Sequence, residues 1–326
     1  MSTCHHYTIW LKLLTLEISN MTKAYPNLDW TEFMITKIFS KAIKPFQIIS
    51  LLTTYFLGGG LVQYLRGFRG FGTFLQGGLF LLFVLIGFEL LRLNQSLRDA
   101  RNWPEGILFN EVKRTRWVIA LIAATLMTVG LTIVIDWMVR DVIWQGLVFL
   151  VFGFLAACAA YFLTEYKKSL QPFEILIEVF LFVVIPPAFA FFIQSDEPHR
   201  LLTMVVIGLM PAFIAYRLLI QLKSYRQDQR SGKRTFVTYV GWQKAMTVHN
   251  ALVLLSYLLY AFVTLIGFPW FLIWPVFLTL PIGLVEIWLM ERVRRGSKPL
   301  WTLMQIATGS VFFMPMYLLG FAFWIR

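Results

Sequence analysis

The sequence predicts an all-α, polytopic membrane protein of about nine transmembrane helices bundled around a cytoplasm-facing polar cavity. Composition is the first reason: the 326 residues are 58% hydrophobic and 14% charged, where soluble domains run about 45–50% apolar and about 25% charged. The second reason is length. A spanning helix needs about 20 mostly apolar residues, and such runs recur at about 46–65, 72–93, 117–139, 142–163, 173–194, 201–222, 246–267, 269–290 and 300–323. The third is the placement of the 29 lysines and arginines. With the N-terminus inside, the inside segments hold 23 (Arg92 counted with the loop it adjoins), the outside segments hold 5, and Arg217 lies within a span. That alternation is the positive-inside rule repeated along the chain, and it predicts a multi-pass protein of a bacterial-type cytoplasmic membrane. The net charge of +12 is thereby read as membrane orientation, and nucleic acid is not an expected partner.

The elements follow in order. Tyr7 to Leu16 is too short to span and no small-residue cleavage site follows it, so no signal peptide is expected. Met21 opens a more conventional start, leaving the first twenty residues open to reading as an extension; His5 and His6 are not expected ligands. Trp30, Phe33, Met34, Ile38, Phe39 and Ala42 recur at helical spacing among Lys37, Lys41 and Lys44, which predicts an amphipathic helix on the membrane surface. Residues 1–44 thus form an arm with a surface helix, and 45–326 form a single transmembrane domain in contact with membrane lipids. Cys4 and Cys158 are too far apart to imply a disulfide or metal framework. No nucleotide-binding glycine pattern, zinc site or nucleophile–base arrangement is present.

Two inside loops, 94–116 and 223–245, concentrate cations and amides, with Asp99 in the first and Asp228 in the second. Each follows a helix that turns polar along one side. Glu89, Arg92, Ser96 and Asp99 recur every three or four residues beside Gln95, and Arg217, Gln221, Ser224 and Asp228 do the same. Helical geometry puts each set on one stripe. A polar stripe in hydrocarbon costs several kcal/mol unless it faces water, ligand or a partner stripe. The two stripes are therefore expected to face each other across the cavity; the alternative is that both are helix ends emerging into water.

Gly232-Lys233-Arg234-Thr235, five further residues and Gly241, preceded by Asp228, resemble the second signature loop of the UbiA superfamily of intramembrane aromatic prenyltransferases, the quinone-pathway branch most closely. The Lys44-Pro45 pair and Gly58-Gly59-Gly60 of the first span agree, and Asn94 to Asn102 stands where the first signature loop belongs. The resemblance implies transfer of a prenyl group from a prenyl diphosphate to an aromatic or quinone-precursor acceptor. It also implies aspartate-held Mg²⁺ on the diphosphate, Asp99 and Asp228 being both the metal-binding and the catalytic positions. The sequence departs from the family pattern here. From Asn94, the residues Gln95, Arg98 and Asn102 stand where aspartates belong; sliding by one rescues Asp99 but puts Gln95 in place of the leading asparagine, and Ser224 replaces the partner of Asp228. Two carboxylates suit one Mg²⁺ with phosphate help better than two.

Arg98, Arg101, Arg226, Arg230, Lys233 and Arg234 fill these loops, and guanidinium groups bind phosphate bidentately. With Asn94, Gln95 and Arg217 they are the expected diphosphate ligands, unless they serve topology alone. Glu178 and Glu286 lie deep enough to pair with Arg217 or face the cavity, whereas Asp136 and Glu174 are expected at the interface. Pro186-Pro187 and Pro211 predict kinks or broken helices, and His249 and Asn250 are expected in helix-packing hydrogen bonds, the alternative being the cavity mouth. A catalytically silent homologue that binds an isoprenoid or quinone, as carrier, sensor or scaffold, is the alternative function. A transporter is a third, opposed by the lack of an inverted repeat.

Overall fold

The structure, a computed structural model, describes residues 45–99, 107–140, 145–164, 167 and 169–325. The N-terminal arm with its expected surface helix, and Arg101 and Asn102, lie outside the described residues. The described residues form helices and connecting turns with no strand, and nine helical segments among them are long and apolar enough to cross a membrane.

The first four spans are α1 (Pro45–Tyr64), α2 (Phe71–Asp99), α3 (Ile107–Val139) and α4 (Gln145–Thr164). Pro45 opens α1, a position where its missing N–H and fixed φ cost nothing. The fifth span is broken: a 3₁₀ turn (Gln171–Phe173), α5 (Glu174–Val179), a π turn (Phe180–Val184) and α6 (Ile185–Phe192). The cause is Pro186-Pro187, which supplies no N–H to the carbonyls one turn earlier. Thr54 of α1 makes good part of that loss, its hydroxyl donating to the Phe182 carbonyl at 2.9 Å. The sixth span is α7 (Arg200–Ser231), which continues through Pro211 without a break. It is followed by the short α8 (Phe236–Val240) and by α9 (Trp242–Leu265). The eighth span is α10 (Trp270–Phe277) joined to α11 (Leu280–Arg294), and α12 (Trp301–Ile325) is the ninth.

The nine expected spans are all present, but three boundaries lie six or more residues from expectation. α2 runs on to Asp99, α3 begins at Ile107, and α7 runs to Ser231, so much of the two expected inside loops is helix. Arg, Gln, Lys and Leu are good helix formers, and emergence from an apolar run does not end a helix. What ends α7 is Gly232, in the left-handed region at φ 69°.

The fifth span is the innermost and α3 the outermost: 67% and 17% of their apolar stretches are buried. α1 packs on α6 and α12, α7 on α9 and α12, and α2 on α3. Gly58 permits the α1–α6 approach, since a β-carbon there would lie 2.2 Å from the Pro187 carbonyl oxygen. Outward-facing Trp117, Leu121, Phe149, Leu258 and Leu265 are exposed, the pattern of a surface solvated by lipid.

Candidate functional site

The polar residues of the spans gather where α1 begins, α2 and α4 end, α5 begins and α7 approaches its end. On α7, Arg217 donates from Nε and Nη2 to both oxygens of Glu178, with the Nη2–Oε1 bond at 2.6 Å. The arginine is 14% exposed and the glutamate 1%. On α2, Arg92 lies 3.9 Å from Glu89 one turn back and 3.9 Å from Glu174 of α5. Its guanidinium also stacks over the ring of Tyr161 on α4, 4.7 Å from the centroid. The Tyr161 hydroxyl accepts from Gln47 of α1 at 2.8 Å. Five helices thus converge on a buried set of two guanidinium groups and three carboxylates. Bidentate pairing and stacking are what make guanidinium burial tolerable.

The stripes of α2 and α7 were expected to face each other across a cavity; at Arg92 and Arg217, each is met by a glutamate from α5. Glu174, expected at the interface, is buried beside Arg92. Arg217, expected among the diphosphate ligands, is paired with Glu178, one of the roles that the depth of Glu178 left open. The missed participants are Tyr161 and Gln47, whose only signal in the sequence was a polar atom within an apolar run.

One turn or more beyond Arg217 the same helix carries Gln221, Ser224 and Asp228. Asp228 is 3% exposed and accepts from the Ser224 hydroxyl at 2.7 Å. Its backbone carbonyl accepts from Lys233 N–H at 2.9 Å and from the Ser231 hydroxyl at 3.0 Å. The chain then turns through Gly232 to Thr235, whose hydroxyl accepts from Thr238 N–H at 3.2 Å and caps α8. Two buried amides pin this turn: Gln171 accepts from Arg234 N–H at 3.2 Å and Gln221 from Val237 N–H at 3.4 Å. Arg226, Arg230 and Arg234 are exposed and Lys233 half-buried. Among the described residues none of these four is in an ion pair, although Arg69, Arg92, Arg140, Arg217, Arg294 and Arg295 all are.

On α2, Asn94 accepts from Arg116 Nε at 3.4 Å and Gln95 is half-buried. Arg98 and Asp99 lie in the last turn of α2, and Arg101 falls outside the described residues. No group of three metal-ligating side chains occurs among the described residues.

A second buried polar set lies between α9, α11 and α12. Glu286 accepts from the Thr308 hydroxyl, and His249 Nε2 stands 2.8 Å from the same carboxylate oxygen, off the line of a good hydrogen bond. All three are fully buried. Glu286 therefore pairs with His249 and not with Arg217, and His249 has the helix-packing role expected of it.

No family model matches the chain, and no curated protein matches it. Among solved structures, the chain is similar to a UbiA homolog from Archaeoglobus fulgidus bound to GPP and Mg²⁺. The overlap has a TM-score of 0.43 and 13% identity, and covers 86% of this chain and 98% of that one. So loose an overlap transfers no residue from one site to the other.

Proposed function

We propose that this is a UbiA-type intramembrane prenyltransferase that holds a prenyl diphosphate at the Gly232–Thr235 turn and passes the prenyl group to an aromatic or quinone-precursor acceptor. One observation carries the reading: four cations with no ion pair among the described residues crowd the end of α7, while both buried arginines of the spans are neutralised. Beside them, Gln171 Nε2 is buried with no acceptor among the described residues, a donor suited to a phosphate oxygen. The resemblance of the turn to the family's second signature loop points the same way. In this reading, motif loops 94–116 and 223–245 lie on the cytoplasmic side.

The chemistry breaks the allylic carbon–oxygen bond of the diphosphate, forms a carbon–carbon bond to the acceptor and releases one ring proton. Charge develops on the departing diphosphate, so fixed cations beside it lower the barrier. Arg226, Arg230, Lys233 and Arg234 are assigned that role, joined by Arg98 and Arg101 from the other loop. Asp228 braces the turn through its backbone carbonyl, and Asp99 is its assigned counterpart on α2.

Mg²⁺ fits the described residues poorly. Asp228 is the one carboxylate of the turn, is almost wholly buried, and has one oxygen occupied by Ser224. The charge of the diphosphate accordingly falls to the cations. The same occupied carboxylate favours the second reading, a homologue that binds an isoprenoid without turnover.

A thermal-shift titration with geranylgeranyl diphosphate, with Mg²⁺ and with chelator, tests the proposal. Stabilisation is expected in both buffers, weakened by about 1.5–3 kcal/mol in Lys233→Ala, the scale of a charged hydrogen bond. Strict dependence on Mg²⁺ would return the protein to the ordinary family mechanism. No response in either buffer removes the diphosphate altogether, and binding without prenylated product favours the silent homologue.

A further inference from the structure

At the same end of the bundle, α9 begins and α11 ends around a polar recess of about 440 Å³ lined by Gln243, Lys244, Thr247, Glu291, Arg294 and Arg295. Glu291 orients the two arginines: Arg294 grips both its oxygens at 2.7 and 2.8 Å, and Arg295 Nε reaches one at 3.1 Å. Three cations against one carboxylate leave a net +2 around the recess. Arg294 and Arg295 stay 49% and 76% exposed, so N–H groups remain for a ligand.

What lies below the recess decides the class of ligand. On α11, Trp288 and Leu284 follow Arg295 down one face at seven and eleven residues' distance, 56% and 50% exposed. On α9, Leu254 and Leu258 follow Thr247 at the same intervals, 42% and 65% exposed. At about 1.5 Å per residue, eleven residues descend about 16 Å, close to half of a hydrocarbon core about 30 Å thick. Trp288, with Arg292 stacked 5.0 Å above its ring, stands between the two regions, as interfacial tryptophans do. The two helices touch at Gly283, where a β-carbon would lie 2.9 Å from the Tyr257 ring, so the apolar faces flank one seam.

We infer that this recess binds the phosphate of an anionic phospholipid, with the acyl chains laid along the outer faces of α9 and α11. A free phosphate would use the same cations but none of the apolar faces. Basic pockets between helix ends at a membrane surface are suited to anionic headgroups.

The experiment uses the full chain in a neutral detergent, with native mass spectrometry counting bound phosphatidylglycerol against phosphatidylcholine. Wild type is expected to retain phosphatidylglycerol about tenfold better, a preference worth about 1.4 kcal/mol. The exposed-site variant Lys244→Gln/Arg295→Gln should lose most of that preference, while Lys298→Gln, outside the recess at the same end, should keep it. Equal retention of the two lipids would overturn the inference, as would an equal loss in Lys298→Gln, which reports charge at large. Displacement of the lipid by inorganic phosphate would also overturn it, making this a free-anion site.

Discussion

Replacing Glu178 with alanine leaves the Arg217 guanidinium in a site where it is 14% exposed, with both of its hydrogen-bond acceptors removed. Breaking a buried ion pair by deleting one partner costs about 3–5 kcal/mol, most of it the stranded charge. Two charge-assisted bonds at about 1.5–3 kcal/mol each give an overlapping range of about 3–6 kcal/mol independently. Glu178→Gln, which keeps one acceptor, should cost less. Glu178→Leu combined with Arg217→Met removes both charges and should recover to within about 1 kcal/mol of wild type, because a hydrophobic replacement of a buried pair is often neutral. The assay is an unfolding titration in mixed detergent–SDS micelles on Glu178→Ala and Glu178→Gln, and on Glu178→Leu, Arg217→Met and their double, the last three read with wild type as a double-mutant cycle. Single-variant losses under about 1 kcal/mol, or a double variant as unstable as the sum of its singles, would refute the buried-lock description.

Glu286→Ala should cost about 3 kcal/mol or more in the same titration, since it strips the partner from buried His249 and Thr308 and leaves a cavity. Gln194→Ala should lower stability by about 2–3 kcal/mol, because this fully buried amide accepts from Arg69 and Gly70 N–H and donates to Gly70 and Thr73, and its loss orphans several partners. Gly58→Val should abolish stable expression or shift α1, given the 2.2 Å approach to Pro187; unchanged thermal stability would contradict that packing. Thr235→Ala should cost about 1 kcal/mol through loss of the α8 cap, and weaken diphosphate stabilisation more than it weakens the apo protein.

Number and order of spans were legible in the sequence because the bilayer is a one-dimensional constraint: apolar length and loop charge suffice to read it. The break in the fifth span was legible too, because the missing N–H groups of Pro186 and Pro187 are a local property. So was the depth of Glu178, which left pairing with Arg217 and facing the cavity both open. The helical continuation of α2 and α7 past their apolar runs was not, since only the left-handed turn at Gly232 marks where α7 stops.

Which helix stands between which others was decided by tertiary packing alone. The stripes on α2 and α7 are visible as periodicity, and periodicity says that each needs a partner without saying which. The partner proved to be α5, brought inward by the π turn and by Gly58 against Pro187, so that Glu174 and Glu178 meet Arg92 and Arg217. Buried charge requires opposite charge nearby, which fixes the chemistry of the contact. Its address depends on distances between residues far apart in the chain, and only the folded bundle sets those.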